Sequence, residues 1–200
     1  MMGKYLGRIV PALAITGLCW LGAAAQTSGA DASPANSTEH SKVASADRAF
    51  VMKAAQGGMA EVELGQLAAQ KASSDQVKQF GQRMVDDHSK ANDQLKQIAT
   101  EKGIAVPTKL SSKDAAAKAR LEKLSGDQFD HAYMRDMVTD HTKDVAEFRT
   151  ESKTAKDPAL KSFASQTLPT LEEHLKQAKS IAPKTSQVKK SQSTAAGGAY

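Results

Sequence analysis

The lengths of the connections between four helical segments limit most strongly how this chain can fold. Residues 44–182 lack long alternating β-branched runs and are rich in Ala, Lys, Gln, Glu and Leu, a composition that favours helix. The pattern predicts four long helices, at about residues 45–72, 74–102, 126–154 and 157–182. Only a few residues join the first pair and the second pair, so each pair must fold back as an antiparallel hairpin.

Residues with strong preferences for helix ends mark these boundaries. Ser73 or Ser74 is the predicted N-cap of the second helix, and Gly103 is its predicted stop. Asp157 followed by Pro158 predicts the start of the fourth helix, with Asp as the cap and Pro in the first turn.

The connection between the second and third long helices, residues 103–125, is much longer than the other two. It contains a short amphipathic helix at about residues 111–124, which spans about 21 Å, and extended parts that add about 25–30 Å. That reach exceeds the length of about 42 Å expected for a 28-residue helix. An all-α, ferritin-like four-helix bundle, with a long crossover that carries a short extra helix, is therefore predicted. An up-down bundle with a loose connector is the alternative.

The first 25 residues have the pattern of an export signal. Lys4 and Arg8 precede an apolar stretch, and three alanines at residues 23–25 offer a cleavage site there. The alternative is an uncleaved membrane anchor, for which the apolar run is short, and we expect no transmembrane span after cleavage. The only cysteine, Cys19, leaves with the signal. A mature chain without disulfides or thiolates fits the bacterial periplasm or another exported location.

Polar segments flank the helical domain, which we place at residues 44–183. Residues 26–43 predict a disordered linker, and residues 184–200 predict a disordered basic tail. The tail either keeps the chain soluble or attaches weakly to anionic lipid or cell-wall polymer of the envelope. The whole chain has 27 Lys and Arg against 22 Asp and Glu, and this near balance gives no drive towards nucleic acid.

Each long helix has an apolar face that is interrupted by one residue of a metal-binding type. The four residues, in chain order, are Glu61, His88, His141 and His174. In a crossover bundle they can converge at one level, with His174 the farthest from the middle of its helix. Three imidazoles and a carboxylate form a ligand set for Zn, Fe, Mn or Cu, and such an ion would give all four buried groups a partner. The alternative is that they are satisfied core residues that pair with each other. His131 lies off this face and is expected at the surface.

A short motif is written twice, as MVDDHSK at residues 84–90 and as MVTDHTK at residues 137–143. It indicates either two halves of one metal site or two helices with similar cores. An acid precedes each of the three histidines and points about 100° away, so it either orients a histidine of another helix or serves as an alternate ligand. These acids are Asp87, Asp140 and Glu173. Met84 and Met137 lie four residues before a histidine on the same face, where they either favour copper or fill the core.

Four runs of sequence together resemble the secreted bacterial domain-of-unknown-function family 4142. They are GGMAEVELGQLAAQKASS, FGQRMVDDHSKANDQLKQIA, SGDQFDHAYMRDMVTDHTKDV and LPTLEEHLKQA, and they lie within residues 50–182. The resemblance implies a ferritin-like helical bundle in a protein often labelled as an exported or outer-membrane protein. It implies no assigned activity.

The sequence lacks the di-iron signature of true ferritins, which needs Glu-x-x-His on two helices. The residues three before the histidines are Val85, Val138 and Leu171. Ferroxidase or oxygenase chemistry is therefore not predicted, and no catalytic residue is assigned. Three hypotheses follow: a bundle that binds a metal ion for metal handling or stress protection, a non-catalytic envelope structural or interaction protein without metal, and an enzyme with one metal ion.

Overall fold

A computed structural model describes residues 43–182, which form five helices and no strand. The helices are α1 (Ser45–Lys71), α2 (Asp75–Glu101), α3 (Ser112–Glu122), α4 (Gly126–Thr154) and α5 (Pro158–Ile181). The predicted all-α class is confirmed, and the helix bounds agree with the prediction to within about two residues. No helix among the described residues is long and apolar enough to cross a bilayer. The predicted signal, the basic tail and nearly all of the linker lie outside the described residues.

Contacts at the helix ends establish the direction of each helix. Asp47, near the start of α1, accepts hydrogen bonds from the backbone N–H groups of Lys156 and Asp157, between α4 and α5. Asp130, near the start of α4, accepts one from the backbone N–H of Ser73, between α1 and α2. The start of α1 therefore lies beside the end of α4, and the start of α4 lies beside the end of α1. These neighbouring helices are antiparallel.

The connection between α2 and α4 crosses the whole bundle. Lys102, directly after α2, pairs with Asp157 at the start of α5. This pair lies at one end of the bundle, and α4 begins at the other end. The chain must therefore run the length of the bundle before α4 begins, and α3 lies on this path against α1 and α4. The hairpins α1–α2 and α4–α5 meet through α1 against α4 and α2 against α5. This is the ferritin-like arrangement, and the predicted crossover is confirmed.

The predicted helix ends are borne out at two places and differ at one. Gly103 has a φ of 62°, and Ile104 N–H returns to Ala99 O at 2.8 Å, a glycine-dependent end for α2. Asp157 Oδ1 accepts the N–H groups of two residues in the first turn of α5. Ser74 precedes α2 but makes no side-chain cap. Its backbone N–H donates instead to Asp130 Oδ2, because the aspartate of the other hairpin reaches this turn.

The apolar interior is divided into two clusters, one at each end of the bundle. One cluster contains Phe80, Phe129 and Tyr133, and the other contains Phe50, Phe148 and Phe163. The rings of the second group pack with centroids 5.0–6.5 Å apart. The four buried residues of metal-binding type lie in the middle of the helices, between these clusters.

We expect the glycine contact between α1 and α2 to be essential for their close packing. A Cβ on Gly81 would meet Gly65 O and Ala68 Cβ, each at 2.8 Å, whereas a Cβ on Gly57 meets nothing within 4 Å. Gly81→Ala should therefore destabilise the protein by about 1–3 kcal/mol. Gly57→Ala should stabilise it by about 0.5–1 kcal/mol through helix propensity. Urea unfolding of both variants checks this, and changes of the same sign would contradict it.

The contact between Asp130 and the α1–α2 turn should contribute strongly to stability. Asp130 is buried and receives two backbone N–H groups and the Ser73 hydroxyl at 2.7–3.1 Å. Asp130→Ala should lower the free energy of unfolding by about 2–3 kcal/mol because these donors lose a charged acceptor. The matched control is Asp127→Ala, on the exposed side chain that reaches the same hydroxyl at 3.4 Å. Equal losses in denaturant unfolding would refute a special role for Asp130.

Candidate metal centre

Three histidines from three different helices meet in the middle of the bundle. His88 of α2 is 7% exposed, and His141 of α4 and His174 of α5 are fully buried. One ring nitrogen of each lies within 4.8 Å of those of the other two, and the ring centroids are 5.3–5.6 Å apart. The structure thus brings together all the histidines that interrupt the apolar faces in the sequence. His131 is exposed, as expected.

Hydrogen bonds fix which nitrogen of two of these rings carries the proton. His141 Nδ1 lies 3.0 Å from Met137 O, and a carbonyl only accepts, so Nδ1–H donates and Nε2 holds the lone pair. His174 Nε2 lies 2.8 Å from Asp87 Oδ2, so Nε2–H donates there and Nδ1 holds the lone pair. Three ring nitrogens have no hydrogen-bond partner within the described part of the chain: His88 Nε2, His141 Nε2 and His174 Nδ1.

Burial keeps all three imidazoles neutral. It lowers the pKa of His88 well below its ordinary value, an effect strengthened by the charged forms of His141 and His174. Burial likewise lowers the pKa of His141, and it lowers that of His174 to about 4 despite the bond from Asp87. Neutral imidazole is the form that binds a metal ion. The rings are therefore ready to donate lone pairs at neutral pH without first losing a proton.

The spacing of the histidines is compatible with a single ion after a small movement. Nitrogens bound to one ion at about 2.0–2.1 Å lie about 3.3–3.6 Å apart. The separation of at most 4.8 Å therefore needs a closure of no more than about 1.5 Å. Rotations of the side chains on three packed helices can supply this.

Asp87 is the one acid of the three His-preceding acids that contacts a ring of the cluster. Its carboxylate is shared between His174 Nε2 and Arg83 Nε, at 2.8 and 3.2 Å. Burial opposes its charge, but the bonds from His174 and Arg83 hold the pKa of Asp87 below its ordinary value. A carboxylate behind a ligand histidine fixes the ring and strengthens its donor nitrogen.

The other predicted partners of the histidines lie elsewhere. Asp140 pairs with Lys143, and Glu173 pairs with Lys176, each on its own helix. Met84 and Met137 are fully buried in the apolar cluster around Phe80 and Tyr133. Met137 also supplies the backbone carbonyl that orients His141.

Glu61 lies beside the cluster on the far side of one ring. It is 3% exposed, and its Oε1 is 3.6 Å from His141 Nδ1, the nitrogen that already donates to Met137. Its Oε2 has no partner among the described residues. Burial, and then the charge of Asp140 and other acids, raises the pKa of Glu61 to about 8. The group of side chains that could hold one ion contains the three histidines and does not include Glu61. The role of Glu61 as a fourth ligand stays a prediction.

Two further polar residues lie close to Glu61, and one of them, Asp144, was not predicted as a site residue from the sequence. Asp144 is half-buried one turn after His141, and burial followed by the charge of Glu61 raises the pKa of Asp144 to about 7. Tyr133 is fully buried, and its hydroxyl has no partner within residues 43–182. Asp144 had a detectable signal, since it lies three residues after His141 and thus on nearly the same helix face.

The stability of the metal-free protein should depend on pH through Glu61. Between its ordinary pKa of 4.5 and its folded value of about 8, the folded state holds a proton that the unfolded state has released. The contribution of Glu61 to the free energy of unfolding therefore falls by up to about 1.4 kcal/mol per pH unit as pH rises through this window. Glu61→Gln does not titrate, so its stability relative to wild type should increase steadily from pH 5 to pH 8 in denaturant unfolding.

Asp87→Asn is the control of opposite sign. Because the pKa of Asp87 is lowered when folded, its stabilising contribution is complete above its ordinary value of 3.8 and is lost only as pH falls below that. The difference in unfolding free energy between Asp87→Asn and wild type should therefore stay constant from pH 5 to pH 8. A constant difference for Glu61→Gln as well would show that Glu61 is not protonated in the folded protein.

Similar structures share the fold of this chain at low sequence identity. A fragment of a DUF305 protein from Deinococcus radiodurans has a TM-score of 0.62 and 16% identity, over 70% of this chain and 96% of that one. Structures of CopM in a silver-bound and a Cu(I)-bound form each have a TM-score of 0.56 and 16% identity, over 67% of this chain and 93% of that one. At this identity the likeness shows the helical-bundle fold alone.

Comparison at the sequence level identifies the family. None of the curated proteins matches this sequence significantly. A family model described as a domain of unknown function, DUF4142, matches residues 32–181, three quarters of the chain and the whole of the bundle up to the end of α5. This confirms the resemblance carried by the four sequence runs. The chain belongs to the DUF4142 family.

Proposed function

We propose that this protein binds one metal ion between His88, His141 and His174, and that it serves metal handling or stress protection outside the cytoplasm. One observation carries the proposal: three buried imidazoles converge in the core, and each has a ring nitrogen without a partner in the described chain. A metal ion is the ligand that accepts lone pairs from three imidazoles at once.

The energetic cost of the site without an ion supports this interpretation. Each buried polar atom without a partner costs about 1–3 kcal/mol, and three of them meet here between two apolar clusters. Packing alone would be served better by apolar side chains of the same volume. The hydrogen bonds from His141 to Met137 O and from His174 to Asp87 leave the inward-facing nitrogens free, so the protonation pattern matches that of metal ligands.

The donor set favours copper first and zinc second. Imidazole nitrogen suits copper, zinc and iron, whereas manganese prefers carboxylate and carbonyl oxygen. CopM, which shares this fold, is seen with Cu(I) and with silver, soft ions that accept nitrogen donors. That likeness adds support for copper among the candidate ions. Asp87 and Glu61 would balance its charge, since a cation nearby favours the ionised form of a carboxyl group.

Export belongs to the same proposal and rests on the sequence of residues 1–25. The basic start, the apolar stretch and the three alanines support cleavage after residue 25. An exported bundle without cysteine would meet copper or zinc with histidine rather than thiolate ligands. The mass of the protein recovered from cells tests this step independently of metal binding.

Metal analysis of the purified, untagged protein tests the site. We expect close to one ion per chain after exposure to copper or zinc, and loss of that ion in the His88→Ala, His141→Ala double variant. His131→Ala removes an exposed histidine from the same helix as His141 and is the matched control, which should keep the full stoichiometry. The ion should also raise the unfolding temperature of the wild type and not that of the double variant.

Two results would overturn the proposal. One is a wild-type protein, folded by circular dichroism, that takes up no Zn, Fe, Mn or Cu. The other is a double variant that retains the ion. The first result would favour the remaining hypothesis of a non-catalytic envelope protein, in which the polar residues merely pair within the core.

A further inference from the structure

A surface groove of about 620 Å³ lies between α1, α3 and α4, with Glu61 in its lining. We propose that this groove is the route by which a cation reaches the three histidines, with the carboxyl groups of Asp144 and Glu61 as the groups that capture it and give up any bound proton to it. This inference rests on the proposed metal-binding function and adds to it a path and a capture site.

The groove is lined by six acidic and four basic side chains, so only part of its acid is neutralised. Three of its six acidic side chains pair with a basic residue, as Asp136–Arg120, Asp140–Lys143 and Glu147–Lys53. Asp114 accepts a hydrogen bond from Ser111. Glu61 and Asp144 are left without a lysine, arginine or hydrogen-bond donor within the described part of the chain. Glu61 is also almost fully buried, with an unpartnered Oε2, and it lines the groove.

A second, much smaller cavity of about 30 Å³ lies on the inner side of the groove. Its lining includes His88, Asn92 and Thr167, and it has room for about one water molecule. Among residues 43–182, only Gly57 and Asp144 line both spaces. Because Gly57 has no side chain, Asp144 supplies the side chain that lines both the groove and the cavity at His88. A cation that passes Asp144 therefore arrives at a histidine of the cluster.

The two free carboxylates occupy equivalent positions in the two hairpins. Glu61 of α1 and Asp144 of α4 are 83 residues apart, as are Asp47 and Asp130, which hold the two hairpins together. Because α1 and α4 are antiparallel neighbours, both carboxylates face the shared groove. Carboxylate oxygens bind a hydrated divalent cation readily, and the nitrogen donors behind them suit copper and zinc better. The arrangement thus offers oxygen ligands first and nitrogen ligands further in.

A competing entrance on the opposite face is smaller. A space of about 210 Å³ lined by Asp87, Lys90 and Gln166 lies between α2 and α5. There the Asp87 carboxylate is held by His174 and Arg83, and Lys90 adds positive charge. A cation entering on this side would have to break a hydrogen bond that orients a ligand.

The rate of metal loading tests the route. Stopped-flow mixing of Zn²⁺ or Cu²⁺ with the untagged protein should show association at least about tenfold slower for Asp144→Asn, since the carboxylate that attracts the ion is gone. Asp144→Glu should restore the rate. Gly57→Leu should slow metal loading without removing any charge, because the leucine side chain would fill the space that the glycine leaves open. The variants should still bind one ion per chain at equilibrium.

Asp136→Asn is the matched control. It removes the same charge from the same groove, but Asp136 is paired with Arg120 and does not line the inner cavity. Its loading rate should stay within about twofold of wild type. Wild-type rates in both Asp144→Asn and Gly57→Leu would overturn the route while leaving the histidine site intact. If Asp136→Asn slows metal loading as much as Asp144→Asn does, the effect is a general attraction of the cation by the charged groove and not a specific role of Asp144. A wild type that binds no ion would overturn the proposed function itself.

Discussion

Two buried aspartates set the register in which the hairpins of this bundle pack. Asp47 receives the backbone N–H groups of the α4–α5 turn, and Asp130 receives those of the α1–α2 turn. Each bond joins the start of one hairpin to the turn of the other, so a slide of one hairpin along the axis would break both. Because His88 lies on one hairpin and His141 and His174 on the other, this register also decides whether their rings meet at one level.

The interior then depends on a polar layer between two apolar ends. The aromatic clusters supply the burial that stabilises the bundle, and they enclose the histidines so that the rings stay neutral. The same burial raises the pKa of Glu61 and leaves its Oε2 without a partner. In the absence of a ligand, the unpartnered polar atoms in the middle of the bundle therefore lower the stability of the fold. The bundle tolerates this loss because its two ends are well packed.

The sequence predicts the helices and the meeting of the histidines well, because both depend on helical periodicity and on the lengths of the connections. It does not predict the side of His141 on which Glu61 lies, since a stripe on one helix leaves its rotation uncertain by about one residue. The hydrogen bonds that Asp47 and Asp130 accept are not predicted from the sequence either. They connect residues more than fifty positions apart through backbone groups, and backbone groups leave no trace in a residue pattern.

The repeated motif around His88 and His141 is not the repeat that relates the hairpins. The two copies are 53 residues apart, whereas equivalent positions of the hairpins are 83 apart, and at that spacing His141 corresponds to Gly58. A side chain at Gly58 would overlap Asn92 Oδ1, so a fourth histidine there would require the Asn92 side chain to move. Both copies instead lie on α2 and α4, which run parallel across the bundle. A nearly symmetric scaffold therefore carries an asymmetric set of three histidines, which would suit one ion rather than the pair that symmetric carboxylate sites hold.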